Sequence, residues 1–329
     1  MNLRRRLIQQ LAAASLLGLA CLGMASAQAQ DFPSKPLKFV VPFPPGSGTD
    51  TSARYFAKKF TEITGQTVVV DNKPGANGSV GGKFVQSAQP DGLTLLFSAS
   101  THVLAKQVMA SPPYDPQTEF AAVARVGEAP LMMVISPNLP QGKLSEVIAA
   151  ARQNPEKWTA ALPALGAASH LGTLMFAKQG QLPNLVTAVY KGTAPALTDV
   201  AGGHVQIQID AIVALQGMAK AGKVKPIMVT SAKRSSVMPQ VPTAVESGYP
   251  KFVTESWYGI WATKNTPAER VQLLNKAVNE AVQQLTKAGA FEPLGIEPVT
   301  ESVDDFRKYM ASYVAESAEL LKGAGFKPE

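Results

Sequence analysis

The stretch Leu37-Lys38-Phe39-Val40-Val41-Pro42-Phe43-Pro44-Pro45-Gly46-Ser47-Gly48-Thr49-Asp50 decides the reading of this chain. Leu37 to Val41 favour a strand. Residues 51–64 carry Ala53, Phe56, Ala57, Phe60 and Ile63 at helical spacing. A strand, a stiff loop and a helix in that order open a βαβ unit. In a parallel α/β sheet such a loop lies at the carboxyl edge of the strands, where ligands bind. Gly46 and Gly48 let the backbone approach a ligand closely. The helix N-terminus offers N–H groups without intrahelical partners and a partial positive charge. Ser47 and Thr49 add hydroxyls, and the prolines lower the entropy cost of binding. An anion such as a carboxylate suits this place. The loop alone is equally compatible with a plain turn in which Thr49 or Asp50 caps the helix.

Working outward, the alternation continues. Residues 67–70 and 93–97 read as strands and 80–88 as a short helix. Further on, 131–135, 159–162, 186–190, 205–209 and 226–230 read as strands, and 144–153, 169–179, 194–201 and 214–221 as helices. Strands separated by helices predict a mostly parallel sheet with right-handed crossovers. Two α/β units without a linker predict two lobes joined by crossing strands. The last part is helical. Thr266-Pro267-Ala268-Glu269 predicts a helix start with Thr as N-cap, Pro at N1 and Glu at N3. Val271, Leu274, Val278, Ala281, Val282 and Leu285 then recur on one face. Ser302 predicts another start, with Gly323 as the stop.

At the other end, Arg4-Arg5-Arg6, an apolar run over 7–24 and Ala25-Ser26-Ala27 form a secretory signal pattern over residues 1–29, with cleavage after Ala27 or Ala29. Its removal lowers the formal charge from +7 to +4 (28 Lys and Arg against 24 Asp and Glu) and takes away the single cysteine, Cys21. A chain without cysteine has no disulfide, thiolate metal site or Cys nucleophile. The mild basic excess is not clustered, which argues against nucleic acid. No later segment has the length and apolarity of a bilayer span.

Catalytic signatures are missing. Gly78-Ser79-Val80-Gly81 has Asn77 where a nucleophile elbow needs Gly. Gly82-Lys83 and Gly222-Lys223 lack the Ser or Thr of a phosphate-binding loop. His102, His170 and His204 lie far apart without metal-ligand spacing. These patterns favour a binding protein over an enzyme, with no cofactor and no metal. A second candidate loop is Pro163-Ala164-Leu165-Gly166-Ala167-Ala168-Ser169-His170, where Ser169 is an N-cap or a ligand hydroxyl. Two facing helix N-termini suit a ligand with a carboxylate at each end. Tyr190-Lys191-Gly192-Thr193 follows another strand, and Lys191 offers charge. Asp210 ends the strand over 205–209 and orients a loop or accepts from a ligand N–H. Phe43, Trp257 and Tyr258 read as core residues ahead of a stacking platform for an aromatic ligand.

The ordered motifs Val41-Pro42-Phe43-Pro44-Pro45-Gly46-Ser47-Gly48-Thr49-Asp50, Asn72-Lys73-Pro74-Gly75-Ala76-Asn77-Gly78, Pro90-Asp91-Gly92, Ser169-His170-Leu171, Tyr190-Lys191-Gly192, Ala194-Pro195-Ala196-Leu197 and Trp257-Tyr258-Gly259 resemble the Bug-type receptors. These are the extracytoplasmic solute-binding proteins of tripartite tricarboxylate transporters. The resemblance covers essentially the whole chain after the signal. It implies an α/β, two-lobed periplasmic binding protein of the Venus flytrap, type II-like kind, with the ligand cleft between lobes. Lobe one is 30–127 plus 252–329 and lobe two is 128–251. It implies a carboxylate held by Phe43, Pro44, Gly46, Ser47, Gly48, Thr49 and Asp50 from one lobe and by Gly166, Ala167, Ser169 and His170 from the other. Ser98, Ser100, Tyr190, Lys191 and Asp210 complete the cleft. Ser47 stands where the family commonly has a third glycine, and Ala167-Ala168 where Thr or Ser often precedes Ser-His. The implied role is a periplasmic monomer that delivers a di- or tricarboxylate, an aromatic carboxylate or an acidic amino acid to membrane permease subunits. The alternative partner is a sensor kinase given the same ligand.

Overall fold

The structure is a computed structural model that describes residues 35–329. The signal-peptide reading falls on residues outside the described ones. The first strand, β1 (Leu37–Val41), has the predicted bounds. Helix α1 (Gly48–Thr64) begins three residues earlier than predicted. Ser47, not Thr49 or Asp50, is its N-cap, and its Oγ accepts from the N–H of Asp50 at 3.2 Å. The apolar face places Ala53, Phe56, Ala57 and Phe60 in the core. There Phe56 packs on Phe39 and Phe97, with ring centroids 6.2 and 6.3 Å away.

Strands β2 (Val68–Asn72) and β3 (Thr94–Ala99) run parallel to β1 on either side, with helix α2 (Ser79–Gln86) between them. β3 extends two residues past its predicted end, so Ser98 is a strand residue and Ser100 opens a 3-10 turn (Ser100–Leu104), followed by a short helix α3 (Ala105–Val108). Next comes β4 (Phe120–Ile135), sixteen residues long, of which only the last five were foreseen. Its first part, through Pro130, pairs antiparallel with β9 (Glu255–Thr263). Its last five residues leave β9 and lie between β7 (Ile207–Ala211) and β8 (Lys225–Val229). β4 therefore crosses between two half-sheets. β5 (Thr159–Leu162) and β6 (Val186–Val189) complete the second half, giving the order β2-β1-β3-β9-β4-β7-β5-β6. β10 (Glu297–Pro298) pairs with β4 beside the first half.

Both faces of the second half are covered. Leu131, Met133 and Ile135 enter one apolar cluster, while Met132 and Val134 enter another. A strand buried on both faces reads as a continuous apolar run, which is how Leu131 to Ile135 reads. The helices of this half are α4 (Leu144–Gln153), α5 (Ala168–Gly180), α6 (Thr193–Gly202) and α7 (Ile212–Lys220).

The crossing is tied by Thr230. Its Oγ1 accepts from the N–H of Leu131 at 2.8 Å and donates to the carbonyl of Thr254 at 2.5 Å. Its own N–H donates to Leu131 O at 2.9 Å. One buried side chain thus holds together the two segments that pass between the half-sheets.

Helix α8 (Ala268–Lys287) buries the predicted stripe from Val271 to Leu285. Its start differs: Pro267 is the N-cap, and the hydroxyl of Thr266 lies 3.2 Å from that of Thr263 instead of capping. Helix α9 (Val303–Gly323) begins as predicted, with Ser302 Oγ accepting from Asp305 N–H.

Candidate functional site

Two loops with the same local design face each other. In each, a glycine in the left-handed region (Gly46, φ +82°; Gly166, φ +69°) turns the chain. An extended N-cap follows (Ser47, φ −68°, ψ 159°; Ala167, φ −71°, ψ 160°), and then a helix. The glycines are needed because a side chain there strains the backbone. The result aims the first N–H groups of α1 and α5 into one cavity of about 50 Å³. Gly192, which precedes α6, and Ala211, which precedes α7, line the same cavity. Four helix N-termini therefore converge. Three of their N-caps, Ala167, Gly192 and Ala211, make no side-chain capping bond. Uncapped helix starts that share one cavity are donors and partial positive charges aimed at a common point, which is an anion site.

Hydroxyls reinforce it. Ser169 Oγ and Tyr258 Oη are buried, line the cavity and make no hydrogen bond of good geometry. Burial pushes the Tyr258 phenol up, so it stays a neutral donor; Ser52 and Ser256 oppose that shift from outside hydrogen-bond geometry. Gly48 matters for a steric reason. A Cβ there would come within 3.2 Å of Tyr258 Oη and of Val213 Cγ1.

Of the expected site residues, the structure brings together Phe43, Ser47, Gly48, Thr49, Ala167, Ser169 and Asp210 around the cavity. The others stand behind or beside it. Asp50 lies behind its loop. Its carboxylate accepts from Gly46 N–H at 2.9 Å, Arg54 Nε at 2.9 Å and Asn72 Nδ2 at 2.8 Å. Asp50 is thus the brace of the loop, with Gly46 as one of its anchor points. Pro44 packs across on Gly192, where an added Cβ would meet Pro44 Cγ at 3.2 Å. His170 turns away from the cavity. Its Nδ1 accepts from Gly166 N–H at 3.1 Å, its ring meets Phe326, and burial lowers its pKa to about 4. Ser98 and Ser100 are buried outside the lining, with Ser100 close enough to Tyr313 to act on its ionisation. Tyr190 donates to Asp199 at 2.7 Å, and Lys191 is exposed.

Asp210 lies inside β7 instead of after it. Thr193 Oγ1 donates to its Oδ2 at 2.7 Å and the N–H of Ala211 donates to Oδ1 at 2.8 Å. The residue is half-buried and lines the cavity. The surrounding protein desolvates it and raises its pKa, against the pull of the Thr193, Ala211 and Gln208 bonds.

Sequence reasoning missed Thr193 and Ser256 as lining residues; it placed Tyr258 in the core, where the residue is buried, but not at the cavity that it also lines. Gly192-Thr193 carried a signal, since a positive-φ glycine before a helix repeats the design of Gly46 and Gly166. Ser256 and Tyr258 carried none, because they come from β9, which joins the cavity only through long-range pairing. Among the described residues, no group of His, Asp and Glu is arranged to hold a metal.

Residues 52–326 match the model of the tripartite tricarboxylate transporter family receptor. Protein BugT of Bordetella pertussis is 35% identical over 313 residues, covering 94% of this chain and 95% of BugT. The structure of the periplasmic binding protein BugD aligns with a TM-score of 0.83 at 34% identity, over 91% of this chain and 100% of that one. The structure of R. palustris Rpa4515 with adipate aligns with a TM-score of 0.86 at 31% identity, over 91% and 100%. With matches that run nearly end to end and an α/β fold shared with periplasmic binding proteins, the chain belongs to the tripartite tricarboxylate transporter receptor family and is of the Bug type.

Proposed function

We propose that this protein captures a small carboxylate in the cleft between its half-sheets and hands it to the membrane permease of a tripartite tricarboxylate-type transporter, without catalysing a reaction. One observation carries the reading: four helix N-termini, three of them uncapped, share a cavity with the buried hydroxyls of Ser169 and Tyr258. That arrangement stabilises a negative charge without a cation. The adipate in the Rpa4515 structure supports the ligand class. The lobes are 30–127 plus 252–329 and 128–251, a division supported by the change of β4 partners after Pro130. Closure buries the ligand, so affinity reflects contacts and the closing equilibrium together. Export to the periplasm, with cleavage after Ala27 or Ala29, fits this role, and the protein works as a monomer. Calorimetry on the purified protein with di- and tricarboxylates, aromatic carboxylates and acidic amino acids tests the reading. Saturable binding of at least one is expected, and heat from none of them would overturn it.

A further inference from the structure

The turn between β2 and α2 has four successive residues at positive φ: Gly75 at 133°, Ala76 at 43°, Asn77 at 53° and Gly78 at 88°. Glycine adopts such angles freely, but Ala76 and Asn77 hold them against crowding of their Cβ atoms. Residues of that kind stay in this region only where their surroundings fix them there, and they mark working parts of a fold. One side of the turn is seated on the start of the first ligand loop. An added Cβ on Gly78 would lie 3.4 Å from Phe43 Cζ and 3.5 Å from Pro42 Cβ. The other side reaches across the cleft, where Asn77 Nδ2 donates to the carbonyl oxygen of Leu165 at 2.6 Å. Asn77 belongs to the first half-sheet, and Leu165 follows β5 of the second.

The peptide that Asn77 grips is held at its other end too. The N–H of the same Leu165–Gly166 unit donates to His170 Nδ1 at 3.1 Å. Gly166 is the turn glycine and Ala167 the N-cap of α5. The orientation of this peptide therefore sets the direction in which α5 offers its first N–H groups. His170 fixes it from within the second half, and Asn77 fixes it from the first half. The two halves meet closely here, since an added Cβ on Gly166 would come within 3.0 Å of Val108 Cγ1 and Cγ2. Asn77 itself lies outside the cavity lining.

Resting on the capture reading above, we propose that Asn77 is a positioning residue that couples closure of the halves to retention of the ligand. As the halves meet, its amide locks the Leu165–Gly166 peptide, and the second loop then holds its aim at the anion. The turn presents the amide in advance, so little ordering remains to be done on closing. When the halves part, the bond is absent. Asn77 thus slows escape of a ligand it does not touch and contributes nothing to the encounter or to the ligand-free fold.

The test uses Asn77→Gly, which suits the positive φ and removes the amide, and Asn77→Asp, which keeps the shape but sets an oxygen against the Leu165 oxygen. Calorimetry with succinate, citrate, benzoate and aspartate identifies the tightest wild-type ligand of the four, and that acid is the probe. Both variants are expected to bind it about three- to tenfold more weakly. The loss should lie in the dissociation rate, read by surface plasmon resonance on immobilised protein, with the association rate within about twofold of wild type. Ligand-free melting temperatures should match wild type, which a merely structural role would not allow. Wild-type dissociation rates in both variants, or weaker binding with a matching fall in ligand-free melting temperature, would overturn the inference while carboxylate capture stands. Should one variant not fold, the other decides. A wild type that binds none of the four acids would remove both readings.

Discussion

At the residue scale the site separates groups that meet the ligand from groups that hold those groups in place. Ser169 and Tyr258 belong to the first kind. Their oxygens are buried and unpaired, an arrangement that costs free energy in the unliganded fold. Ser169→Ala and Tyr258→Phe should each weaken ligand binding by about 1 kcal/mol or more while leaving the melting temperature unchanged or slightly higher. Calorimetry and thermal melts of the two variants check this, and a lowered melting temperature with intact affinity would contradict it. Asp50 belongs to the second kind. Its oxygens are taken by Gly46, Arg54 and Asn72. Asp50→Ala should therefore weaken binding and also cost about 2 kcal/mol of stability, since hydrogen bonds to a buried charge are lost. Urea unfolding distinguishes this brace from a contact residue, whose loss leaves stability intact.

At the scale of elements, the crossing makes the cleft. Thr230 joins Leu131 of β4 to Thr254, the residue before β9. Thr230→Val keeps the shape and removes the hydroxyl, leaving a buried N–H and a carbonyl without that partner. A loss of about 1–3 kcal/mol in urea unfolding is expected. The same elements show where a sequence is legible. β1, α4 and β5 were read to the residue, because each is short and bounded by prolines, glycines or polar turns. β4 was missed over most of its length. Gly127 and Pro130 look like breaks in a central strand; here Pro130 marks the point where β4 changes partners. β9 was not read as a strand at all, although Trp257-Tyr258-Gly259 stood out as a motif, because its pairing with both β3 and β4 is long-range. Helix starts were read one to three residues late at α1, α5 and α6. In all three a positive-φ glycine lies inside the stretch read as loop, and it, or the residue after it, is the cap.

At the scale of the whole molecule, the strands near the crossing carry like charges. Glu297 of β10 stands directly opposite Glu128 of β4, and Glu255 of β9 lies diagonally across from Glu128. Arg125, which bonds Glu128, is also committed to Glu301 through two 3.0 Å bonds and lies over the ring of Tyr309. Burial first, and then Glu128 and Glu297, push the Glu255 carboxyl up to about 7. A carboxyl with a raised folded-state pKa holds its proton more tightly in the native state. Native stability is then lost as pH rises from the ordinary carboxylate range to about 7, and stays lost above it. Glu255→Gln should raise the melting temperature at pH 8 relative to wild type and bring no gain at pH 4.5. A pH series of melts on both proteins checks the sign. His170, held neutral with its pKa lowered to about 4, acts in the opposite sense: its contribution is lost as pH falls from about 6.5 toward 4.

The uncapped helix starts have a consequence for how such a receptor diversifies. Main-chain amides are encoded by every residue except proline, so most single substitutions around the cavity leave the charge-holding groups in place. Grip on the anion is then inherited with the backbone, while side chains such as Asp210, Thr193 and Tyr258 are free to be exchanged. A lineage built on this plan can change what it collects one residue at a time without passing through a form that holds nothing.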